Sequence, residues 1–142
     1  MLSLEHADTI RRRVASIPIA ETLQMRDLIL DEGICGLVLP RQKRYDGVFE
    51  SFHGGLLMTA ADSAACFAIL TLTPADQLLT TTDMNIRFLA PCLSDLRVRA
   101  RVIKRGRLLC PVAVDLFDAE NKLVAVAQVT YMLLERIPAR GR

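Results

Sequence analysis

Between His53 and Leu72 the chain is apolar on every side of a helix. Leu56, Leu57, Ala60, Ala61, Ala64, Ala65, Phe67, Ala68, Ile69 and Leu70, set at 100° per residue, cover the whole circumference rather than one stripe. Such a helix must be enclosed, by protein or by lipid. Asp62 stands at its centre and the run is near the lower limit of a membrane span, so enclosure by protein is the expected outcome.

The wrapping comes from the rest of the chain. After Pro74 the hydrophobic period changes to two: Met84, Ile86 and Phe88 alternate with Asp83, Asn85 and Arg87, and Leu96, Val98, Ala100 and Val102 alternate with Arg97, Arg99 and Arg101. Leu108–Phe117 and the nearly continuous apolar run Leu123–Leu134 read as two more strands, joined by the hairpin loop Asp118–Asn121. Upstream, Met25–Asp31 and Ile34–Pro40 flank the turn residues Glu32–Gly33 and predict a hairpin. Pro111 cannot donate to a ladder and is expected at an edge or a bulge. Leu4, Ala7, Ile10, Val14 and Ile17 lie at helical spacing opposite Arg11, Arg12 and Arg13, which predicts an amphipathic helix over about residues 3–17, ended by Pro18. One buried helix and an antiparallel sheet have a direct packing solution, an α+β domain in which the sheet curls around the helix.

With 142 residues, 51% of them hydrophobic, the chain has room for one such domain, 1–142. Eighteen basic residues against 16 acidic ones, with 5% aromatic residues and no Trp, supply neither a strongly cationic surface nor stacking platforms, so nucleic-acid binding is not expected. Residues 1–8 carry two acids and no apolar segment, unlike a secretory signal, and a cytoplasmic protein without membrane contact is expected. Cys35, Cys66, Cys92 and Cys110 are widely spaced in apolar contexts, which points to buried thiols rather than disulfides or a metal site.

Chemistry centres on Asp62. A carboxylate inside an all-apolar helix must be paired, protonated or functional, and a capping or groove-facing role is the alternative to catalysis. His53-Gly54-Gly55 places two residues without side chains at the helix start, where N–H groups lack partners and the helix dipole is positive. Such a turn can receive an oxyanion, or it can simply be a loop.

His53-Gly54-Gly55-Leu56-Leu57-Met58-Thr59-Ala60-Ala61-Asp62-Ser63-Ala64 resembles the HGG-to-Asp signature of hotdog-fold acyl-CoA thioesterases of the phenylacetate-degradation type. Thr81–Pro91 is similar to the strand that follows it there, and the likeness extends from about Pro18 to Leu134. The resemblance implies a hotdog fold and hydrolysis of acyl-CoA to acid and coenzyme A without a cofactor or metal. It implies that the Gly54 N–H polarises the thioester carbonyl, that Asp62 is nucleophile or general base, and that Thr81 helps place the water. His53 would hold the loop or orient the thioester, beside Gly55. The family's Asn or Gln six residues before the His is Gly47 here, with Glu50 and Ser51 as possible substitutes. A non-catalytic acyl-CoA-binding or sensor module on the same fold is the alternative that this loss favours. A hotdog hydratase is a further alternative, set against by the Gly-Gly after the His.

Gly54 and Asp62 are eight residues apart, about 12 Å along a helix axis, too far for one thioester carbon to touch both. If both act on one bond, they come from different copies of the chain, and a homodimer, or a dimer of dimers, is expected. Arg97, Arg105 and Arg107 are the candidates for the coenzyme A phosphates; alternation alone would explain the strand arginines as a solvated face.

Overall fold

The computed structural model describes residues 1–135. The last seven residues of the expected 1–142 domain lie outside them. Helix α1 (Leu4–Ala15) starts at Ser3, whose side chain accepts from the His6 N–H, and α2 (Pro18–Thr22) follows after a short break. Pro18 therefore opens a helix rather than closing one: its ring presets φ, and its missing N–H falls among donors that have no intrahelical partner. Strands β1 (Arg26–Asp31) and β2 (Ile34–Leu39) form the expected hairpin, turning at Gly33 with φ +73°. Next come α3 (Gly54–Leu70), β3 (Leu78–Phe88), β4 (Leu96–Val102), β5 (Leu109–Phe117) and β6 (Leu123–Leu134).

The six strands form one antiparallel sheet in the order β1-β2-β4-β5-β6-β3. Helix α3 lies across one face, and Leu57, Ala60, Ala61, Ala64, Ala65, Phe67, Ala68, Ile69 and Leu70 are all buried. The wrapped helix is the one the all-round apolar pattern requires. Its many alanines let strands approach closely, and Leu96, Val98, Ala100, Val112, Val114, Leu116 and Val129 fill the space between.

Pro111 lies on an interior strand rather than an edge. Its carbonyl accepts from the Ile103 N–H at 2.9 Å, beyond the last β4–β5 pair, Val102 with Val112. Its missing donor thus faces the point where β4 is already leaving the ladder, which makes the residue tolerable. Arg13 also departs from the exposed face expected of it: its Nη1 donates to the Ala75 and Gln77 carbonyls at 2.5 and 3.1 Å and so ties α1 to the segment entering β3. All four cysteines are free; Cys35, Cys92 and Cys110 are buried and Cys66 is half-buried. Among the described residues no helix is long and apolar enough to cross a membrane.

Candidate active site

The start and the middle of α3 carry the site. At its start, His53 is the N-cap: Nδ1 accepts from the Gly55 N–H at 2.9 Å, which leaves the neutral ring's proton on Nε2. The Gly55 donor is therefore used internally, whereas the Gly54 N–H has no acceptor among the described residues. A donor left open at the positive end of a 17-residue helix suits a developing oxyanion. Gly54 also has a steric reason to lack a side chain: a Cβ there would stand 3.0 Å from Cζ of Phe88, whose ring covers the helix start from β3.

Two turns further along, Asp62 is half-buried and faces β3 and β6. The Thr81 hydroxyl donates to its Oδ1 at 2.7 Å, and the Tyr131 hydroxyl lies 2.8 Å from the same oxygen and 2.9 Å from the Asp62 carbonyl. Both donors converge on Oδ1. Oδ2 accepts no hydrogen bond from the described residues, so it is the oxygen left to meet a reactant.

A bulge produces this convergence. Leu79 and Thr81 pair with Leu133 and Tyr131, but the register shifts between Thr81 and Asp83, after which Met84 and Ile86 pair with Val129 and Ala127. Thr82 is the extra residue, and its hydroxyl donates to the Thr130 carbonyl. Without the insertion Thr81 would share a face with Asp83; with it, Thr81 and Met84 both turn towards α3.

Tyr131 is the residue that sequence reasoning missed, because it stands at an apolar position of β6 and looks like core. Its position opposite Thr81 was the available signal, legible only once the register was known. Burial pushes its phenol well above the ordinary tyrosine range, so it stays protonated and donates. Burial likewise pushes the Cys66 thiol, one helical turn from Asp62, up to about 11, which rules it out as a thiolate at neutral pH. Tyr131→Phe should lower kcat roughly tenfold with KM nearly unchanged, by removing one of the donors that hold the carboxylate. A purely structural tyrosine would instead lower the melting temperature and leave kcat alone.

Gly47 sits in a turn, with its N–H donating to the Ser51 carbonyl at 2.8 Å and its carbonyl accepting from the Glu50 N–H. Arg41 clamps this loop, meeting both Asp46 carboxylate oxygens, at 3.1 and 2.6 Å, and the Glu50 carbonyl at 3.0 Å. Within the chain, the side chains of Glu50 and Ser51 make no hydrogen bond to Asp62 or Gly54. Arg105 and Arg107 flank Gly106 in the β4–β5 turn, where any Cβ would lie 2.3 Å from the Leu109 carbonyl oxygen. Arg97 belongs elsewhere. It projects from the sheet face opposite α3, over the Phe117 ring and against Asn121, and does not join the other candidates. No cluster of His, Cys, Asp or Glu among the described residues is placed to hold a metal.

Residues 49–125, which hold the helix start, Asp62 and the bulged strand, match the family pattern of the thioesterase superfamily. The chain belongs to that superfamily. It is 30% identical over 92 residues to the human acyl-coenzyme A thioesterase 13, covering 63% of this chain and 65% of that one. A thioesterase family protein of Silicibacter pomeroyi superposes with a TM-score of 0.84 at 25% identity, over 92% of this chain and 99% of the other. The PaaI protein from the phenylacetic acid degradation operon of E. coli shares the fold, with a TM-score of 0.85 at 21% identity over 95% and 97% of the two chains. The sheet around α3 is therefore the hotdog fold, and the chemistry of this thioesterase is that of a thioester hydrolase.

Proposed function

We propose that this thioesterase hydrolyses acyl-CoA, with Asp62 carrying the chemical step. The observation that carries the reading is the Asp62 carboxylate, anchored through Oδ1 by Thr81 and Tyr131 with Oδ2 open. In the general-base form of the reaction, Oδ2 takes a proton from water as the water oxygen adds to the carbonyl carbon. The Gly54 N–H stabilises the carbonyl oxygen as it becomes negative, the C–S bond breaks, and the proton passes to the departing sulfur. In the nucleophilic form Oδ2 itself attacks the carbonyl carbon, the C–S bond breaks and the thiolate leaves to give a mixed anhydride, and water then hydrolyses the anhydride to the free acid and the Asp62 carboxylate. The human relative's name supports coenzyme A as the thiol.

The active unit is a homodimer. Gly54 opens α3 and Asp62 lies about 12 Å along it, so one thioester needs the Gly54 of one copy and the Asp62 of another. β3 supports this: it is an 11-residue strand at one edge of the sheet, with no strand partner on its outer side among the described residues. A second copy pairing there brings two α3 helices side by side. Phe88, the last residue of β3, and Leu89 after it, 51% and 56% exposed, add apolar surface for the partner at that edge.

The nucleotide is assigned to Arg105 and Arg107, in the turn beyond the Tyr131 end of the sheet. Replacing either by Ala should raise KM for acyl-CoA several-fold with kcat little changed. KM for a short thioester lacking the nucleotide should not respond, and the acyl-CoA effect should shrink as ionic strength rises. The test of the function itself is thiol release from acetyl-, medium-chain, long-chain and phenylacetyl-CoA. Tight binding of one of these without turnover would favour the second reading, a non-catalytic acyl-CoA sensor, for which the side chain missing at Gly47 speaks.

A further inference from the structure

On β3 the side chains of Thr81, Met84, Ile86 and Phe88 turn towards α3, in a row that runs from beside Asp62 to the helix start. Thr81 holds the carboxylate at one end of the row. At the other end stands a half-exposed aromatic ring, although Phe88 points to the same side as the half-buried Met84 and Ile86. Position is the reason: Phe88 reaches α3 at its first residue, where no further turn of helix remains to cover the ring. The backbone that carries the ring is fixed. Phe88 pairs with Ala125, and the Leu89 and Ala90 N–H groups both donate to the Val124 carbonyl.

A Cβ on Gly54 would meet Cζ, Cε1 and Cε2 of Phe88 at 3.0, 3.2 and 3.6 Å, so it is the far edge of the ring that stands over the helix start. The Gly54 N–H, which has no acceptor among the described residues, is one bond from the Cα beneath that edge. A carbonyl oxygen that accepts from this N–H at about 2.9 Å brings its own carbon, and the first carbon of the acyl group, close to the ring. One methyl group on the protein side already makes too tight a contact, and a methyl group on the substrate side competes for the same space.

We infer that Phe88 is the specificity-determining residue for the carbon next to the thioester carbonyl, and that the substrates are acyl-CoAs unbranched at that carbon. This assignment rests on Gly54 as the oxyanion donor of the proposed hydrolysis. Packing of the ring on the helix start contributes stability in either case; selection between acyl groups is what packing alone does not give.

Butanoyl-CoA and 2-methylpropanoyl-CoA are isomers that differ only in a branch at that carbon. Wild type should hydrolyse the straight isomer with kcat/KM roughly tenfold or more above the branched one, the discrimination that one misplaced methyl group commands in a tight pocket. Phe88→Ala should bring the two to within about twofold, by raising hydrolysis of the branched isomer. Phe88→Leu, which keeps apolar surface at the β3 edge but lacks the far edge of the ring, should do the same, with sedimentation showing the dimer retained. Gly54→Ala should lower kcat for butanoyl-CoA roughly thirtyfold in the wild-type background but only about threefold beside Phe88→Ala, because the added methyl then takes the space of the ring. Equal hydrolysis of the two isomers by wild type, an isomer ratio that neither Phe88 variant changes, or an equal cost of Gly54→Ala with and without the ring would overturn the inference. Failure of the underlying reading looks different: if Gly54 is not the oxyanion donor, Gly54→Ala costs nothing in either background, and if the chain is no hydrolase, neither isomer releases thiol.

Discussion

Asp62→Asn should lower kcat by roughly 10²-fold or more while acyl-CoA binding survives. The amide matches the carboxylate in shape and still accepts from Thr81 and Tyr131 through its oxygen, so the local hydrogen bonds have no reason to collapse. What disappears is the negative oxygen that takes a proton or attacks carbon. The helix around it is packed by alanines on both sides, at 60, 61, 64 and 65, and does not need the charge to fold. Steady-state thiol release, with binding measured separately by calorimetry, checks both halves of the expectation. A variant within a few-fold of wild-type kcat would remove Asp62 from the chemistry.

Mixing two inactive variants should restore activity. Gly54→Val places a branched side chain where a Cβ alone would stand 3.0 Å from the Phe88 ring, closing the approach to the helix start, and should abolish turnover. Asp62→Asn abolishes it by a different route. After subunit exchange a heterodimer holds one site with both residues intact and one with neither. With equal amounts and random pairing, half the dimers are mixed and half their sites work, so about one quarter of wild-type activity should return. Native mass spectrometry verifies exchange. If exchange is proven and nothing returns, Gly54 and Asp62 serve a single chain and the composite site is wrong.

The enclosed helix and the strands around it were legible in the chain because burial imposes simple periodicities. A helix apolar on all sides has to be wrapped, and strands with one wet face have to do the wrapping. Asp62 and the glycines at 54 and 55 were legible too, since a lone carboxylate and two missing side chains are anomalies in such a helix. Other features were decided only by tertiary structure. Strict alternation puts Thr81 on the wet face with Asp83, and it is the extra residue at Thr82, read from the β3–β6 register, that turns Thr81 towards Asp62. Tyr131 in sequence is one more apolar strand position; pairing across from Thr81 makes it a donor to the same carboxylate. Arg97 looks in sequence like a companion of Arg105 and Arg107, but it stands at the start of β4, paired with Phe117, at the other end of the strand from the turn that carries them. Local patterns report which side chains avoid water. Which of them meet depends on register, and register depends on pairing between residues as far apart as Thr81 and Tyr131, which no local pattern records.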